Sequence, residues 1–224
     1  MLLWLVAVVF FMQTLDATIV NTALPAMAQS LNTSPLHMQT VLVAYSLTMA
    51  MLIPISGWMA DRFGTRRVYM GAILVFVLGS LLCGLAATVP QLVVARIVQG
   101  AGGALLLPVG RLAVLRGYPR ERFLAAMSFV AIPGLIGPLL GPALGGWLVQ
   151  FASWHWVFFI NVPVGLVGWL VAQKFLPDFR GSNVQRLDAA GYALLALGMM
   201  FVSLSVDGFA GFGWSLGMIA AVML

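Results

Sequence analysis

Long apolar runs separated by short polar connections dominate the chain. Seven runs qualify as bilayer crossings: residues 3–24, 39–60, 68–88, 92–115, 123–150, 156–176 and 189–206. A crossing helix takes about 20 apolar residues. The runs do not alternate with the period of two that a barrel strand requires. A backbone in lipid must also satisfy its own hydrogen bonds, so the pattern predicts helices. The fifth run is long enough to tilt or bend. An eighth opens at Trp214 and reaches Leu224, roughly 16 Å of helix and about half a crossing, so an incomplete span is expected there. Met1 leads straight into apolar sequence with no basic stretch before it, which does not fit a removable signal peptide.

The connections alternate in charge. Those at 25–38, 89–91, 151–155 and 207–213 hold no Lys or Arg. The intervening ones carry Arg62, Arg66 and Arg67, then Arg111, Arg116, Arg120 and Arg122, then Lys174, Arg180 and Arg186. Ten of the eleven basic residues therefore fall on one side. The positive-inside rule makes that side cytoplasmic and places the N-terminus inside. Trp154, Trp156 and Trp214 near span ends suit interfacial anchoring.

Composition agrees with this pattern. Residues are 62% hydrophobic and only 8% charged, against about 25% charged in a soluble domain. Too little polar surface exists to coat a water-soluble globule. The net charge of +5 is accounted for by topology, which leaves a nucleic-acid role without support. Cys83 is the only cysteine, excluding an internal disulfide and a Cys-rich metal site. His37 and His155 are isolated, and there is no phosphate loop and no spacing of nucleophile and base. No metal or cofactor is expected, nor ATP as an energy source within this chain, nor enzymatic chemistry.

The fold class expected is an all-α polytopic membrane protein. Residues 1–176 form a six-helix bundle, 177–188 a polar cytoplasmic linker with Gly181, Ser182 and Asn183, and 189–224 extra spans, the last incomplete. Gly57-Trp58 in the second run and Gly146-Trp147 in the fifth form a faint internal echo that would suit a three-plus-three inverted repeat.

Away from the cytoplasmic span ends, two ionisable side chains lie within spans: Asp16 and Arg96. Charge inside a membrane is costly and marks function by default. Asp16 falls about 12 Å from the outer end of the first run and Arg96 about 6 Å from the same side, so a pair is geometrically allowed. Gln13 is one turn from Asp16 and can share its face. Arg96, Gly100 and Gly103 share a face of the fourth run, which suits a polar cavity wall. In the fifth run Gly134, Gly137, Gly141 and Gly145 are spaced three and four apart, a smooth stripe that admits another backbone. Gly146 adjoins the stripe, and Pro138 and Pro142 each remove a helix hydrogen bond and favour a bend. Between the second and third runs, Gly64 permits a tight turn. Asp61 stands at a helix C-terminus, where the dipole disfavours an anion, so it needs a cationic or helix-N-terminal partner.

These segments together resemble the major facilitator superfamily. The loop from Gly57 through Asp61, Arg62, Gly64, Arg66 and Arg67 is similar to its signature between spans two and three. Arg96-Ile-Val-Gln99-Gly100 resembles its span-four signature. Gly137-Pro138-Leu-Leu-Gly141-Pro142-Ala-Leu-Gly145-Gly146 resembles the antiporter signature of span five. Leu15-Asp16-Ala-Thr18-Ile-Val-Asn21-Thr-Ala-Leu-Pro25 and Trp154-His155-Trp-Val-Phe-Phe-Ile-Asn161-Val-Pro163 are similar to segments of the fourteen-span drug:proton antiporters. Thr65 stands where that family usually has Arg, and His155 where relatives often carry Arg.

The resemblance implies a proton-coupled secondary efflux transporter with alternating access, present here as the N-terminal portion. Asp16, Arg96, Gln13, Asn21 and Gln99 would form the proton or substrate site, and the loop around Asp61 would latch the cytoplasmic gate. The implied partners are a lipophilic or cationic small molecule, protons, the lipid bilayer and a second half of the transporter. The implied location is a bacterial inner membrane. Two other readings compete: an exporter of a metabolite or siderophore on the same fold, and a membrane scaffold or remnant that transports nothing. Asp16 and the Gly/Pro stripe argue against the last.

Overall fold

The computed structural model describes residues 1–182, 184 and 186–211, with side chains described through Ser203. The expected eighth run and Asn183 of the linker lie outside the described residues. The helices are α1 (Leu2–Ser30), α2 (Pro35–Leu52), α3 (Ser56–Phe63), α4 (Thr65–Gly84), α5 (Val89–Gly117), α6 (Arg120–Phe151), α7 (Trp156–Phe159), α8 (Asn161–Phe175) and α9 (Ala189–Gly211). A 3₁₀ turn at Ile53–Ile55 joins α2 to α3, so the second crossing runs over Pro35–Phe63. Pro54 stands in that turn, where its missing N–H breaks the α-helical ladder. Likewise α7 and α8 make one crossing over Trp156–Phe175. Among the described residues six crossings are long and apolar enough to span a membrane, and α9 supplies the seventh predicted helix.

The helices outrun the apolar stretches that predict them. α1 passes through Pro25 and ends at Ser30, because helical hydrogen bonding continues after the hydrophobic layer has ended. Ser34 caps α2, its hydroxyl accepting from the His37 backbone N–H at 3.3 Å, with Pro35 in the first turn, where a missing N–H is harmless. Thr88 caps α5 in the same way through Gln91. Pro133, Pro138 and Pro142 all lie inside one continuous helix, α6; they do not end it.

α1 lies along α6, α4 along α5, α2 against α5, and α8 against α4, while α9 packs on α2. Tyr192 of α9 donates to the Met51 carbonyl at 3.1 Å. Two apolar clusters fill the bundle. One contains Leu5, Val9, Met12, Tyr69, Phe76 and Val109. The other contains Ile19, Val41, Leu92, Val157 and Phe158. Between them α1 passes through Gln13 and Asp16. Leucines such as Leu78, Leu124, Leu135, Leu139 and Leu170 are exposed, as a surface facing lipid or another apolar face should be.

Candidate functional site

Asp16 lies midway along α1 and is completely buried, as are Arg96, Gln99, Ser80 and Asn161 to within 1%. Arg96 Nη1 donates to Asp16 Oδ2 at 2.8 Å and to Gln99 Oε1 at 2.7 Å. The other carboxylate oxygen, Oδ1, accepts from Gln99 Nε2 at 2.8 Å and from Asn161 Nδ2 at 2.7 Å. Gln99 Nε2 also donates to Ser80 Oγ at 2.7 Å. Residues of four helices, α1, α4, α5 and α8, thus join one polar cluster, in which α5 and α8 bond the α1 carboxylate and Ser80 of α4 bonds Gln99. Charge-assisted bonds of this kind are about twice as strong as neutral ones, which is how a charged pair persists in an interior where an unpaired charge would not.

Local sequence makes the convergence possible. Arg96 and Gln99 are three residues apart and project from one face of α5. Gly79 precedes Ser80 on α4, and a Cβ there would collide with the Gln99 backbone; the bare Cα brings Ser80 within reach of Gln99. On the other side, the Arg96 guanidinium lies over the Tyr45 ring, 4.0 Å from its centroid. Gln13 Nε2 donates to the Gly103 carbonyl at 3.0 Å. Gln13 Oε1, Tyr45 Oη and Arg96 Nε are buried without hydrogen-bond partners.

Of the five residues expected at this site, Asp16, Arg96 and Gln99 are bonded together and Gln13 lies one turn away. Asn21 does not join them. It is exposed, because five residues along a helix turn it about 140° from Asp16. Ser80 and Tyr45 were not singled out in the sequence, and Asn161 stood only within the Trp154–Pro163 segment, not among the expected site residues. Asn161 left a signal, being an amide inside an apolar run; Ser80 and Tyr45 left none.

A second polar assembly lies at the end of the bundle where α3 meets α4. Arg116 Nη2 pairs with Asp61 Oδ1 at 2.5 Å, so Asp61 has the cationic partner its helix-end position demands. Gly64 turns between α3 and α4 with φ of 95°. Thr65 is fully buried and donates to the Pro177 carbonyl at 3.0 Å. Asp178 accepts from the Arg66 backbone N–H at 3.3 Å, placing a carboxylate at the N-terminus of α4, where the helix dipole favours it. The Gly181 N–H bonds the Asp61 carbonyl at 3.2 Å. The first linker residues are therefore fastened to the signature loop. Arg62 and Arg67 are exposed, and a Cβ on Gly57 would meet nothing within 4 Å.

The glycine stripe of α6 faces α1. A Cβ at Gly134 would strike the Phe10 ring, at Gly137 the Thr14 hydroxyl, at Gly141 the Thr18 hydroxyl, and at Gly145 the Ile19 backbone. Gly146 faces open space, and Pro138 and Pro142 are exposed beside the stripe. Among the described residues no group of His, Cys, Asp and Glu could hold a metal ion.

A sequence profile described as Major Facilitator Superfamily matches residues 6–224. The chain belongs to the Major Facilitator Superfamily. "Putative multidrug resistance protein MdtD" of Serratia proteamaculans is 54% identical over 222 residues, covering 99% of this chain and 46% of the relative. The protein of that name from Pectobacterium atrosepticum is 55% identical over 206 residues, covering 92% and 44%. The chain spans about half the length of the curated relatives it matches. Among solved structures, a peptide transporter POT in complex with sulfate superposes with a TM-score of 0.71 at 20% identity, over 97% of this chain and 48% of the other. A bacterial homolog of the human lysosomal transporter Spinster gives 0.63 at 18% identity, over 99% and 57%. At those identities the likeness is one of fold: a multi-pass helical membrane protein.

Proposed function

We propose that this chain is the N-terminal half of a proton-coupled efflux transporter of the bacterial inner membrane, with its N-terminus in the cytoplasm. The observation that carries the reading is Asp16, a carboxylate midway along α1, sequestered from solvent and held by Arg96, Gln99 and Asn161. A membrane protein has little reason to keep such a group except to bind a cation or a proton. The names of the relatives support drug-like cargo, and a carboxylate in an apolar interior attracts lipophilic cations. Asp16 then binds the exported cation or the incoming proton, one at a time, as access alternates between the two sides. The Asp61–Arg116 pair and the linker fastened beside it latch the cytoplasmic end. Alternating access needs two bundles rocking about a shared site, so the 224-residue chain alone drives no efflux.

The test uses the full product of the gene that encodes this chain, reconstituted in vesicles. Ethidium added to one side should drive proton movement, and Asp16→Asn, nearly isosteric, should abolish it at equal protein level. Exchange at the parental rate in Asp16→Asn would reduce Asp16 to a packing role and end this reading.

A further inference from the structure

The two oxygens of the Asp16 carboxylate are not equivalent. Oδ1 accepts two hydrogen bonds, from Gln99 Nε2 and Asn161 Nδ2, whereas Oδ2 accepts one, from Arg96 Nη1. The orientation of the Gln99 amide is fixed by its neighbours. Its oxygen takes the Arg96 N–H, and guanidinium has donors only. Its nitrogen therefore has to face Asp16 and Ser80. Asn161 must likewise present its NH₂ to an ionised carboxylate, which only accepts.

A proton arriving at Oδ1 has to displace two amide donors: Gln99 Nε2, which keeps Ser80, and Asn161 Nδ2, which loses the acceptor it holds. A proton arriving at Oδ2 displaces Arg96 alone. Arg96 can leave at lower cost, since it keeps the Gln99 oxygen at 2.7 Å and the face of Tyr45. We propose that Asn161 is a positioning residue for Asp16: with Gln99 it occupies Oδ1, so that the proton and Arg96 contend for Oδ2 alone. Asn161 does this from the start of α8, a helix that otherwise adds nothing polar to the cluster. This inference rests on the proton-coupled reading of Asp16.

The ionisable groups around Asp16 are few. Arg96 comes from α5, Tyr45 from α2 and Cys83 from α4. The helices α6, α7 and α8 bring none, their charged residues being Arg120, Glu121, Arg122 and Lys174 at helix ends. A change at Asn161 is therefore read by Asp16 and Arg96 without another titrating partner in between.

The experiment compares Asn161→Leu and Asn161→Ala with the parent, as the full gene product. Infrared difference spectra recorded against pH follow the protonated carboxyl band that Asp16→Asn removes. Hydrogen bonds to a carboxylate favour its charged form, so losing one lets the proton bind at higher pH. Both variants should move the midpoint of that band upward by about one pH unit, a tenfold change. Asn161→Gln, which keeps an amide donor, should return most of the shift. Ethidium-driven proton movement should follow the same displacement. Should one variant fail to insert, the other decides. An unmoved midpoint in whichever variant inserts overturns the proposal and leaves Asn161 a packing residue. If the band moves but the parent exchanges no protons for ethidium, the transport reading fails while the positioning role stands.

Discussion

Thr65 holds Phe179 from both sides: its N–H donates to the Phe179 carbonyl at 2.9 Å, and its hydroxyl accepts from the Phe179 N–H at 2.9 Å. The same hydroxyl donates to Pro177. One small side chain at the head of α4 thus clamps the linker that leads to α9. Thr65→Val keeps the shape and removes the hydroxyl, leaving the Phe179 N–H without its partner. A loss of about 1–2 kcal/mol for this docking follows, which is roughly tenfold in the undocked population. Trypsin should then cleave after Arg180, an exposed residue, correspondingly faster than in the parent. An unchanged cleavage rate would mean that other contacts hold the linker in place.

Substitutions along α6 should divide sharply by side. Gly141→Ala pushes a methyl into Thr18, whereas Gly146→Ala enters open space. Overpacking of this kind costs about 1–3 kcal/mol. The second change should be neutral or slightly stabilising, because alanine is the better helix former. Thermal unfolding in detergent, with both variants measured side by side, checks the contrast. Equal behaviour would show that α1 and α6 do not approach as closely as described.

His155 carries a pH dependence of definite sign. It lies in the connection between α6 and α7 and stacks on Trp154, with ring centroids 3.7 Å apart. Burial disfavours the imidazolium and lowers its pKa below the usual value. The unfolded chain takes up this proton near pH 6.5 or about there, while the folded chain waits for a lower pH. The contribution of neutral His155 is therefore complete above about 6.5 and is lost as pH falls through the lowered value. Between about pH 7.5 and about pH 5 the parent should lose more thermal stability than His155→Gln. Equal losses would place the acid sensitivity elsewhere.

The apolar pattern made the seven helices legible because hydrocarbon demands continuous stretches of one character. Helix ends were less legible, as at Ser30, since hydrogen bonding ignores where the lipid stops. Asp16 and Arg96 stood out because charge is rare in such runs. Asn21 stands apart from the Asp16 cluster because a motif gives order along the chain, while membership of the cluster depends on angle around the helix. Thr65 had no visible role, since its partners Pro177 and Phe179 lie over a hundred residues away. An arginine there, carrying donors only, could not accept the Phe179 N–H as the Thr65 hydroxyl does.

Where α6 meets α1, the hydroxyls nearest the glycines donate only within their own helix. Thr14 bonds back to Phe10 and Phe11, and Thr18 to Thr14 and Leu15, all within α1. Those threonines send nothing across to α6. Displacing one helix lengthwise past the other would sever none of these bonds, so the contact behaves as a plain bearing. The resistance it offers comes from the fit of side chains into bare notches, and it is set by how many glycines remain glycine.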